Sequence, residues 1–578
     1  MERIKYIDGL RAIAVLAVIF YHFGYLPNGY FGVDVFFVIS GFLITGLIYS
    51  ECKEKHFSIK RFYVRRIRRI LPLVSFVTFF SLVIGIFVML PDDLENLAES
   101  SVATTLFSNN ILQAITTRDY WNVANEYKPL LHTWSLGIEE QYYFLYPILF
   151  LLLSAKRLRF ILPVLISLTV ISLVLYFIPV FSSSAKFYYL PFRFFELSCG
   201  GLLSVLLKDG IINRKNTFLS LICLSIVVLI LLVNIKIIPN MQLCLIVLGT
   251  CGIILFTKDG KNISCIILQN KPIVYIGMIS FSLYMWHQCI IAFARYFVLF
   301  EVTVLHSVIM FIITFITAIV SYYFIEQPFR DKKRISEKFL FSILIPVNCV
   351  ILVFSLFLYT RSGVIKDVPE LNITTKNITR GLHAAYNDRG YSYDHDFMKE
   401  NKIHILVVGD SLARDFINIL LESKWNDKIE ISYVFDIKDI KLTTRMGKAD
   451  LIFLSTIDRN ELNIPENVMN KLFCIGTKSF GNNAGIFYNY RGEGYYMQRT
   501  SMKKGIVELN NHLKKQYGNE FIDLIGYIVD DKKTVPVFTP DKKFISQDCI
   551  HLTKAGAEYF ARLLESDVNF ILNKIFTN

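Results

Sequence analysis

The chain has 578 residues, of which 53% are hydrophobic, 15% are aromatic and only 19% are charged. Soluble domains carry about 25% charged residues, so this composition excludes an ordinary soluble enzyme. The 61 Lys and Arg residues against 48 Asp and Glu residues give a net charge of +13. We predict no nucleic-acid binding from this excess, because much of it lies in short loops between apolar runs, as in membrane proteins.

The apolar runs are concentrated in the first 360 residues, whereas the remainder has the composition of a soluble chain. Segments of about 20 apolar residues can cross a hydrocarbon core about 30 Å thick. We therefore predict a polytopic helical membrane domain at 1–360, a linker at 361–400 and a soluble domain at 401–578. The eleven predicted spans are 10–28, 33–49, 72–90, 141–155, 160–180, 191–207, 217–234, 239–257, 273–298, 304–325 and 339–360.

Basic residues predict the orientation of these spans. Lys and Arg are frequent in four loops, whereas the long segment 91–140 contains only Arg118 and Lys128. Loops rich in Lys and Arg stay in the cytoplasm, so the N-terminus is predicted to be cytoplasmic and the soluble domain to lie outside. No small-residue cleavage site follows the first apolar run, which we interpret as a retained span. The four basic loops are 50–69, 156–159, 208–215 and 330–338.

The first span contains two polar side chains, Arg11 and His22, that are costly to bury in a bilayer. They are 11 residues apart, which places both on one helix face and separates them by about 16 Å along the axis. A snorkelling arginine and a histidine bonded to a neighbouring helix would explain the pair without any function. The functional interpretation is that Arg11 holds an anionic group near the cytoplasm and that His22 acts as a base.

Two further pairs of charged residues border apolar segments. Arg66 and Arg69 share a helix face and suit phosphate groups, although they can also serve only to set the topology. Glu139 and Glu140 are predicted to open the fourth span. The helix dipole accounts for one carboxylate at that position but leaves the second unexplained.

Polar residues recur in the other spans as well. Asp34 could orient a partner, whereas Ser40 and Gly41 are interpreted as close helix packing. Together these residues predict a polar chamber inside the helical bundle rather than a passive bundle. The later motifs that contribute to it contain Arg193, Glu196, Tyr284, Trp286, His287, Glu326, Pro328 and Arg330.

Residues 1–330 resemble the membrane acyltransferase-3 family, because six motifs occur in the right order: GLRA-x9-H, GVDVFFVISGFLI, RRIRRILP, SLGIEEQYY, SFSLYMWHQ and IEQPFR. The resemblance implies an acyl donor, usually acetyl-CoA, that is bound from the cytoplasm, and transfer toward an acceptor outside. Matching of the motifs also implies functional importance for five residues, with arginines at the donor's phosphates and a histidine at the thioester carbonyl. These residues are Arg11, His22, Arg66, Arg69 and Glu139.

The soluble part alternates short β-like runs with helical ones. IHILVVG, ADLIFLST and KLFCIGT predict buried strands, whereas LARDFINILLES and the C-terminal segment that begins HLTKAG predict helices. Alternating strands and helices are typical of a parallel sheet between helices. The predicted fold class is therefore a helical membrane domain followed by an α/β domain.

A candidate active site lies at Gly409–Asp410–Ser411, which follows a strand and opens a helix. Ser411 would then lie at the carboxyl edge of the sheet, where open α/β proteins place ligands. Asp548 precedes His551 by three residues, a spacing that would let this carboxylate orient the imidazole as the base for Ser411. The alternative is a turn and a surface Asp/His pair without catalytic function.

The soluble part resembles the SGNH hydrolase family, whose members include esterases and acetyltransferases. That resemblance implies that an asparagine stabilises the oxyanion, and Gly481-Asn482-Asn483 offers either Asn482 or Asn483. No Cys/His spacing indicates a metal site, and we predict no metal. Cys474 and Cys549 are the cysteines of the soluble part, and they could pair if that part lies outside the cytoplasm.

The combination of both resemblances is similar to bacterial O-acetyltransferases that modify surface polysaccharides. It implies a multi-pass protein of the bacterial cytoplasmic (inner) membrane, with the SGNH-like domain periplasmic or extracellular. The implied partners are acetyl-CoA, the lipid bilayer and a polysaccharide, with lipopolysaccharide O-antigen as the first expectation and peptidoglycan or capsule as alternatives. Either Ser411 carries the acetyl group to the sugar, or the membrane domain acetylates the sugar while the soluble domain positions it.

Two other classes of protein would each explain part of the sequence. A transporter would explain buried charges among many spans but would leave the Ser411 and Asp548/His551 motifs without a use. A membrane-anchored esterase would explain those motifs but not the eleven spans and the arginine clusters.

Overall fold

The computed structural model describes residues 4–116, 123–153, 158–212, 216–233, 239–257, 263–297, 302–376, 382–399, 401–455, 466–503, 505–569 and 571. Arg118 and parts of the predicted basic loops at 156–159 and 208–215 lie outside these residues. The ends of the predicted spans 141–155, 217–234 and 273–298 lie outside them as well.

The contacts within the chain divide it into two units. The first unit comprises Met1–Gly85, Asn96–Arg295 and Glu301–Leu356, and the second comprises Ile86–Glu95, Tyr296–Phe300 and Phe357–Asn578. The second unit therefore includes two short segments that come from before residue 301, and the predicted linear boundaries assign both of them to the membrane domain. The boundaries of the predicted domains remain predictions.

The first unit is helical. Its helices are α1 (Lys5–His22), α2 (Gly32–Lys53), α3 (Ile59–Val88), α4 (Pro91–Thr105), α5 (Asn109–Thr116), α6 (Trp134–Leu152), α7 (Ile161–Phe177), α8 (Ser183–Tyr188), α9 (Leu190–Lys208), α10 (Thr217–Leu232), α11 (Pro239–Phe256), α12 (Ile263–Leu268), α13 (Lys271–Met278), α14 (Ser280–Arg295), α15 (Val304–Ser321), α16 (Gln327–Arg330) and α17 (Glu337–Thr360). The ends of α3 and α17 and the start of α4 belong to the second unit.

Several of these helices are long and apolar enough to cross a membrane. Among the described residues they are five, and α13 with α14 would make a sixth that is bent by 66°. Helices α7, α10 and α11 are apolar but shorter. A helical membrane-type domain is thus confirmed, while the count of eleven spans and their orientation remain predictions. The five are Gly29–Lys53, Ile59–Val88, Ser183–Lys208, Val304–Arg330 and Glu337–Thr360.

Helices α2 and α9 cross in close contact because glycines face each other's backbone. A Cβ on Gly41 would lie 1.7 Å from the carbonyl oxygen of Leu197, and one on Gly200 would lie 2.0 Å from that of Val38. Any larger residue would force the helices apart. The predicted role of Gly41 in close packing is therefore correct.

The second unit contains a five-stranded sheet in which every pair of neighbouring strands is parallel. The strands are β1 (Ile403–Val408), β2 (Ile429–Val434), β3 (Leu451–Ser455), β4 (Leu472–Ile475) and β6 (Phe521–Ile522), in the order β2-β1-β3-β4-β6. Strands β5 (Arg499–Ser501) and β7 (Thr534–Pro536) form a separate antiparallel pair. The helices are α18 (Leu382–Asp388), α19 (Ser411–Leu421), α20 (Lys441–Lys448), α21 (Ala484–Asn489), α22 (Ile506–Tyr517) and α23 (Lys554–Leu563).

The sheet is buried on both faces, since strands β1 to β4 consist almost wholly of buried residues. One face packs on α19 and α23 through Phe416 and Phe560, and the other packs on α20 and α22 through Met446 and Leu513. Near-continuous apolar strands are typical of a parallel sheet covered by helices. The predicted parallel sheet is confirmed.

Candidate functional site

The first candidate site is a cavity among α1, α2, α3, α6 and α14 that encloses about 90 Å³. Four of the residues predicted to be functional line it together: Arg11, Arg66, Arg69 and Glu139. The three arginines also line a neighbouring cavity of about 320 Å³ near the start of α1. The three arginines therefore lie between these two cavities. We call the cavity of about 90 Å³ the inner cavity, and its other walls are mostly apolar.

The charge of this site is strongly positive. Within the part of the chain that the structure describes, no carboxylate lies within ion-pair distance of Arg66 or Arg69, and Arg11 is 3.9 Å from Asp8. Guanidinium groups without a carboxylate partner are suited to phosphate groups, which they bind through two parallel hydrogen bonds. The cavity is thus built to take an anion together with an apolar extension.

Glu139 is held inside the cavity by hydroxyl groups. Ser40 donates a hydrogen bond of 2.7 Å to its Oε1 atom, and Tyr143 donates one of 3.3 Å to its Oε2 atom. Helix α6 begins at Trp134 and has no acidic residue in its first turn. The prediction that Glu139 and Glu140 open the helix was therefore wrong: both lie in its second turn, beyond the strongest field of the dipole. Ser40 therefore hydrogen-bonds to this carboxylate in addition to its predicted role in helix packing.

His22 lies apart from the arginines. It is the last residue of α1 and lines two other cavities, and neither of them includes Arg11, Arg66 or Arg69. A helix rise of about 1.5 Å per residue places it about 16 Å from Arg11 along the axis. The structure therefore does not bring His22 and the arginines to one point, but sets them at two depths of the bundle.

Two other imidazoles surround His22. Its ring centroid lies 5.2 Å from that of His287, which in turn lies 5.3 Å from that of His132. The Nδ1 atom of His287 is 2.5 Å from the carbonyl oxygen of Tyr284, so Nδ1 carries the proton. His132 was not among the predicted functional residues, although it lies three residues before the motif that contains Glu139. Among the described residues, no group of three or more His, Cys, Asp and Glu residues has a geometry that could hold a metal.

A buried ionic cluster adjoins the histidines. Arg193 donates hydrogen bonds of 2.8 Å each to Asp34 on α2 and to Glu196 on its own helix α9. Asp34 was suggested to orient a partner residue, and Arg193 is such a partner. Asp34 and Arg193 line a small cavity with His22 and His132.

The second candidate site lies at the carboxyl end of β1. Gly409 has a φ of +136°, which favours glycine, and a Cβ there would lie 2.8 Å from Cβ of Ser455 at the end of β3. Asp410 caps α19 by accepting a hydrogen bond from the backbone N–H of Leu412. Ser411 is therefore the first residue of α19, half-buried at the edge of the sheet, as predicted for this segment.

Asp548 and His551 are in direct contact. The Oδ2 atom of Asp548 is 2.5 Å from Nδ1 of His551, and its Oδ1 atom accepts the backbone N–H of His551 at 2.8 Å. This arrangement places the proton of the imidazole on Nδ1 and leaves Nε2 as the basic nitrogen. Such a pair is the orienting half of a catalytic triad.

A buried ion pair ties the His551 loop to the Ser411 helix. Lys478 and Asp415 are in contact, with side chains that are 2% and 1% exposed. Lys478 donates a hydrogen bond of 2.8 Å to the carbonyl oxygen of Ile550, and Asp415 accepts one of 3.1 Å from the N–H of Leu552. Asp415 lies one turn after Ser411 on α19. The ion pair therefore hydrogen-bonds to the backbone on both sides of His551.

The two oxyanion candidates differ in their surroundings. Asn483 accepts the N–H of Gly485 at 2.7 Å and donates to Asp93 at 3.1 Å, so its amide is engaged in structure. Asn482 is half-exposed.

Burial raises the pKa of Asp93 to about 6, an effect that hydrogen bonds from Tyr296 and Asn483 reduce and that the charges of Asp92 and Asp548 increase.

The pairing of Cys474 with Cys549, which the sequence left open, does not form in the structure. Cys549 is a free thiol. Burial raises its pKa to about 12, so this cysteine is neutral and unreactive at ordinary pH.

Comparisons with known proteins concern mainly the helical part. A family model described as an acyltransferase domain matches residues 4–323, more than half of the chain. O-acetyltransferase OatA of Staphylococcus aureus (strain NCTC 8325 / PS 47) is 33% identical over 345 residues, which are 56% of this chain and 57% of that protein. Peptidoglycan O-acetyltransferase OatA of Listeria monocytogenes (serovar 1/2a, strain ATCC BAA-679 / EGD-e) is 30% identical over 347 residues, 56% and 55% of the two chains.

A putative O-acetyltransferase of Staphylococcus aureus (strain COL), SACOL0978, is 33% identical over 363 residues, which are 57% of this chain and 58% of that protein. The chain thus matches little more than half the length of these relatives. No solved structure is similar at a significant level. Together with the six motifs and the arginine-lined cavity, the family match leads to one conclusion: this chain belongs to the acyltransferase family that the domain at residues 4–323 defines.

Proposed function

We propose that the protein is a membrane O-acetyltransferase that moves acetyl groups from cytoplasmic acetyl-CoA to hydroxyl groups of a polysaccharide outside the cytoplasm. The observation that carries this proposal is the arginine-lined cavity. Arg66 and Arg69 have no carboxylate within ion-pair distance among the described residues, and with Arg11 they line the space that contains Glu139. The phosphates of acetyl-CoA supply the missing negative charge.

The separation of His22 from these arginines suits an extended donor. The phosphates of acetyl-CoA lie at one end of a flexible chain and the thioester lies at the other. With the phosphates at Arg11, Arg66 and Arg69, the chain can extend along α1 toward His22, about 16 Å away. Glu139, held by Ser40 and Tyr143, lies next to the arginines in the inner cavity. We assign donor binding to the arginines and proton transfer to His22 and Glu139.

Transfer then follows the chemistry of thioesters. The oxygen of the accepting hydroxyl bonds to the acetyl carbon, and the carbon–sulfur bond breaks. His22 takes the proton of the hydroxyl, and that proton leaves with the thiolate of coenzyme A. A hydroxyl is too weakly acidic to attack without such a base.

Ser411, Asp548 and His551 support a second transfer step in the α/β unit. As Ser411 attacks the acetyl carbon, His551 takes the serine proton and passes it to the group that leaves the acetyl carbon. When a sugar hydroxyl then attacks the acetylated serine, His551 takes the proton of that hydroxyl and gives it to Ser411 as the serine–acetyl bond breaks. Asp548 fixes the imidazole through the 2.5 Å contact. Either Asn482 or Asn483 is the proposed oxyanion donor, and the amide of Asn483 also binds Gly485 and Asp93. The SGNH-type assignment of this unit rests on these residues.

The proposed location is the bacterial cytoplasmic membrane, with the N-terminus in the cytoplasm and the α/β unit outside. The distribution of Lys and Arg among the loops supports it. Peptidoglycan is the first proposed acceptor, because the relative from Listeria monocytogenes is named a peptidoglycan O-acetyltransferase. Lipopolysaccharide O-antigen and capsule are the other acceptors that the experiment distinguishes.

The test is the ester-linked acetyl content of each surface glycan in wild-type and deletion strains. We expect deletion to lower the acetyl content of peptidoglycan and complementation to restore it. A loss confined to O-antigen or capsule would reassign the acceptor. Higher acetyl content after deletion would indicate an esterase, and unchanged content in all three glycans would refute acetyl transfer to them. A tag on the C-terminus that is found in the cytoplasm would refute the proposed topology.

A further inference from the structure

A cavity of about 330 Å³ lies at the end of α1 that carries His22. We call it the outer cavity. His22 lines it, whereas Arg11, Arg66 and Arg69 do not. It therefore reaches the histidine from a different side than the arginine-lined cavity does. Its lining residues are Tyr21, His22, Phe23, Gly24, Asn125, Glu126, Leu131, Gln288, Ile291, Arg295, Val302 and Met310.

Gln288 supplies an unused acceptor in the wall of the outer cavity. The residue is 1% exposed, and its Nε2 atom donates a hydrogen bond of 3.1 Å to the carbonyl oxygen of Lys128. Its Oε1 atom is buried and has no hydrogen-bond partner among the described residues. Leaving a buried polar atom without a partner destabilises the protein, because the atom has lost its hydrogen bonds to water. A ligand that donates an O–H or N–H group would remove that cost.

The charges of the outer cavity favour a neutral ligand. Arg295 lies 2.8 Å from Glu126, so the two charged side chains of the wall neutralise each other. The other polar side chains of the wall are uncharged amides and a hydroxyl besides the His22 imidazole, namely Gln288, Asn125 and Tyr21. The Gln288 oxygen and the imidazole can both accept hydrogen bonds from hydroxyl groups. Aromatic Tyr21 and apolar Ile291 and Met310 provide contact surface for a ring. This combination of an unused acceptor, a paired charge and apolar walls suits a sugar.

We propose that the outer cavity binds the acyl acceptor of the helical unit, a neutral carbohydrate, and that Gln288 accepts a hydrogen bond from one of its hydroxyl groups beside His22. This inference rests on the proposed function and deepens it, since it assigns an acceptor site to the acyltransferase part itself. Of the two predicted routes, this inference corresponds to direct acetylation of sugar by the helical unit, which is the alternative to transfer through Ser411. Gln288 is then a substrate-binding residue and His22 is the base that faces both substrates.

The first test measures kinetics with the full-length protein in nanodiscs, with acetyl-CoA as donor and the methyl β-glycoside of N-acetylglucosamine as acceptor. We expect Gln288→Met to raise the KM for the sugar about 10-fold or more, as for the loss of one buried hydrogen bond. The KM for acetyl-CoA should stay within about twofold. Gln242→Met is the matched control, because Gln242 is also buried in the helical unit but does not line the outer cavity. An unchanged sugar KM would overturn the role of Gln288.

The second test needs neither turnover nor a folded variant. The wild-type protein in nanodiscs is irradiated with a diazirine-bearing glycoside of N-acetylglucosamine in the absence of acetyl-CoA, and labelled peptides are mapped by mass spectrometry. We expect labels at residues 21–24 or 288–295, and competition by the unmodified glycoside. Labels only elsewhere would overturn the outer cavity as the acceptor site. Absent acetyl transfer with labels in the cavity would refute the proposed function and leave the binding site standing.

Discussion

Lys478 and Asp415 form a buried ion pair whose members bind the backbone on either side of His551. Lys478 lies in the segment after β4, and Asp415 lies on the helix that Ser411 begins. The pair therefore connects the helix of the proposed nucleophile with the loop of its proposed base. Buried ion pairs contribute little net stability but are costly to break, so this pair is better explained by the position it gives His551.

Removal of one charge of the pair should destabilise the α/β unit. We expect Lys478→Met to cost about 3–5 kcal/mol, because it leaves the Asp415 carboxylate buried without a counter-charge. The double variant Lys478→Met/Asp415→Leu should recover much of that stability while hydrolysis of p-nitrophenyl acetate stays low, since the bonds to Ile550 and Leu552 are absent. Thermal unfolding and ester hydrolysis measure the two effects. Lys424→Met is the control at an exposed pair with Glu565, and equal hydrolysis by the double variant and wild type would contradict the positioning role.

Substitution of the proposed nucleophile should abolish reaction in the α/β unit without unfolding it. We expect Ser411→Ala to lower hydrolysis of p-nitrophenyl acetate by about 10³-fold or more, with an unchanged melting temperature. Ser423→Ala serves as the control, because its hydroxyl donates to the carbonyl oxygen of Leu420 and accepts the N–H of Trp425 just after the end of the same helix. Full activity in Ser411→Ala would show that the serine is not the nucleophile.

The arginine cluster predicts a specific loss of donor affinity. Arg69→Met should raise the KM for acetyl-CoA about 10- to 100-fold, since hydrogen bonds to charged groups contribute about 1.5–3 kcal/mol each. Increasing salt should weaken donor binding in the wild type more than in the variant. Arg61→Met, on the same helix but exposed and bonded to the carbonyl oxygen of His56, is the control. Equal KM values for Arg69→Met and wild type would argue against phosphate binding there.

The two adjacent glutamates should differ in function. Glu139 lines the inner cavity and accepts hydrogen bonds from Ser40 and Tyr143, whereas Glu140 does not line it. We expect Glu139→Gln to lower kcat by about 10²-fold or more, the range of general acid–base catalysis, while Glu140→Gln retains most of it. Radiolabelled acetyl transfer from acetyl-CoA measures both variants. Equal losses would assign the effect to helix structure rather than to chemistry.

Titration of the Asp93 carboxyl should make the stability of the protein depend on pH. Burial raises its pKa from the ordinary value of 3.8 to about 6, so the folded protein binds this proton more tightly than the unfolded chain does. The resulting stabilisation is complete below about pH 4 and is lost as pH rises through about 6. We expect Asp93→Asn, which can still accept from Asn483, to flatten the apparent melting temperature between those values. If Asp93→Asn kept the full slope of melting temperature against pH, another group would be the cause of that slope.

Several parts of the fold followed from sequence periodicity alone. Apolar runs predicted the long helices, and the alternation that begins near Lys402 predicted a parallel sheet with Ser411 after its first strand. These features depend on neighbours in the chain, so local patterns carry them. The number of spans is harder to predict, because α1 holds Asp8 and Arg11 within an otherwise apolar run, and α13 and α14 are joined at a bend of 66°.

The site residues divide in the same way. Motif spacing indicated Arg11, Arg66, Arg69, His22, Glu139, Ser411, Asp548 and His551 as candidates, and local geometry already paired Asp548 with His551. Only the tertiary structure brought Ser40 to Glu139, His132 to His287, and Asp415 and Lys478 to the loop of His551. Those partners are far apart in the chain, and their contact depends on how helices and strands pack. The chain's local chemistry thus determined which groups are available, whereas burial and packing decided which of them meet.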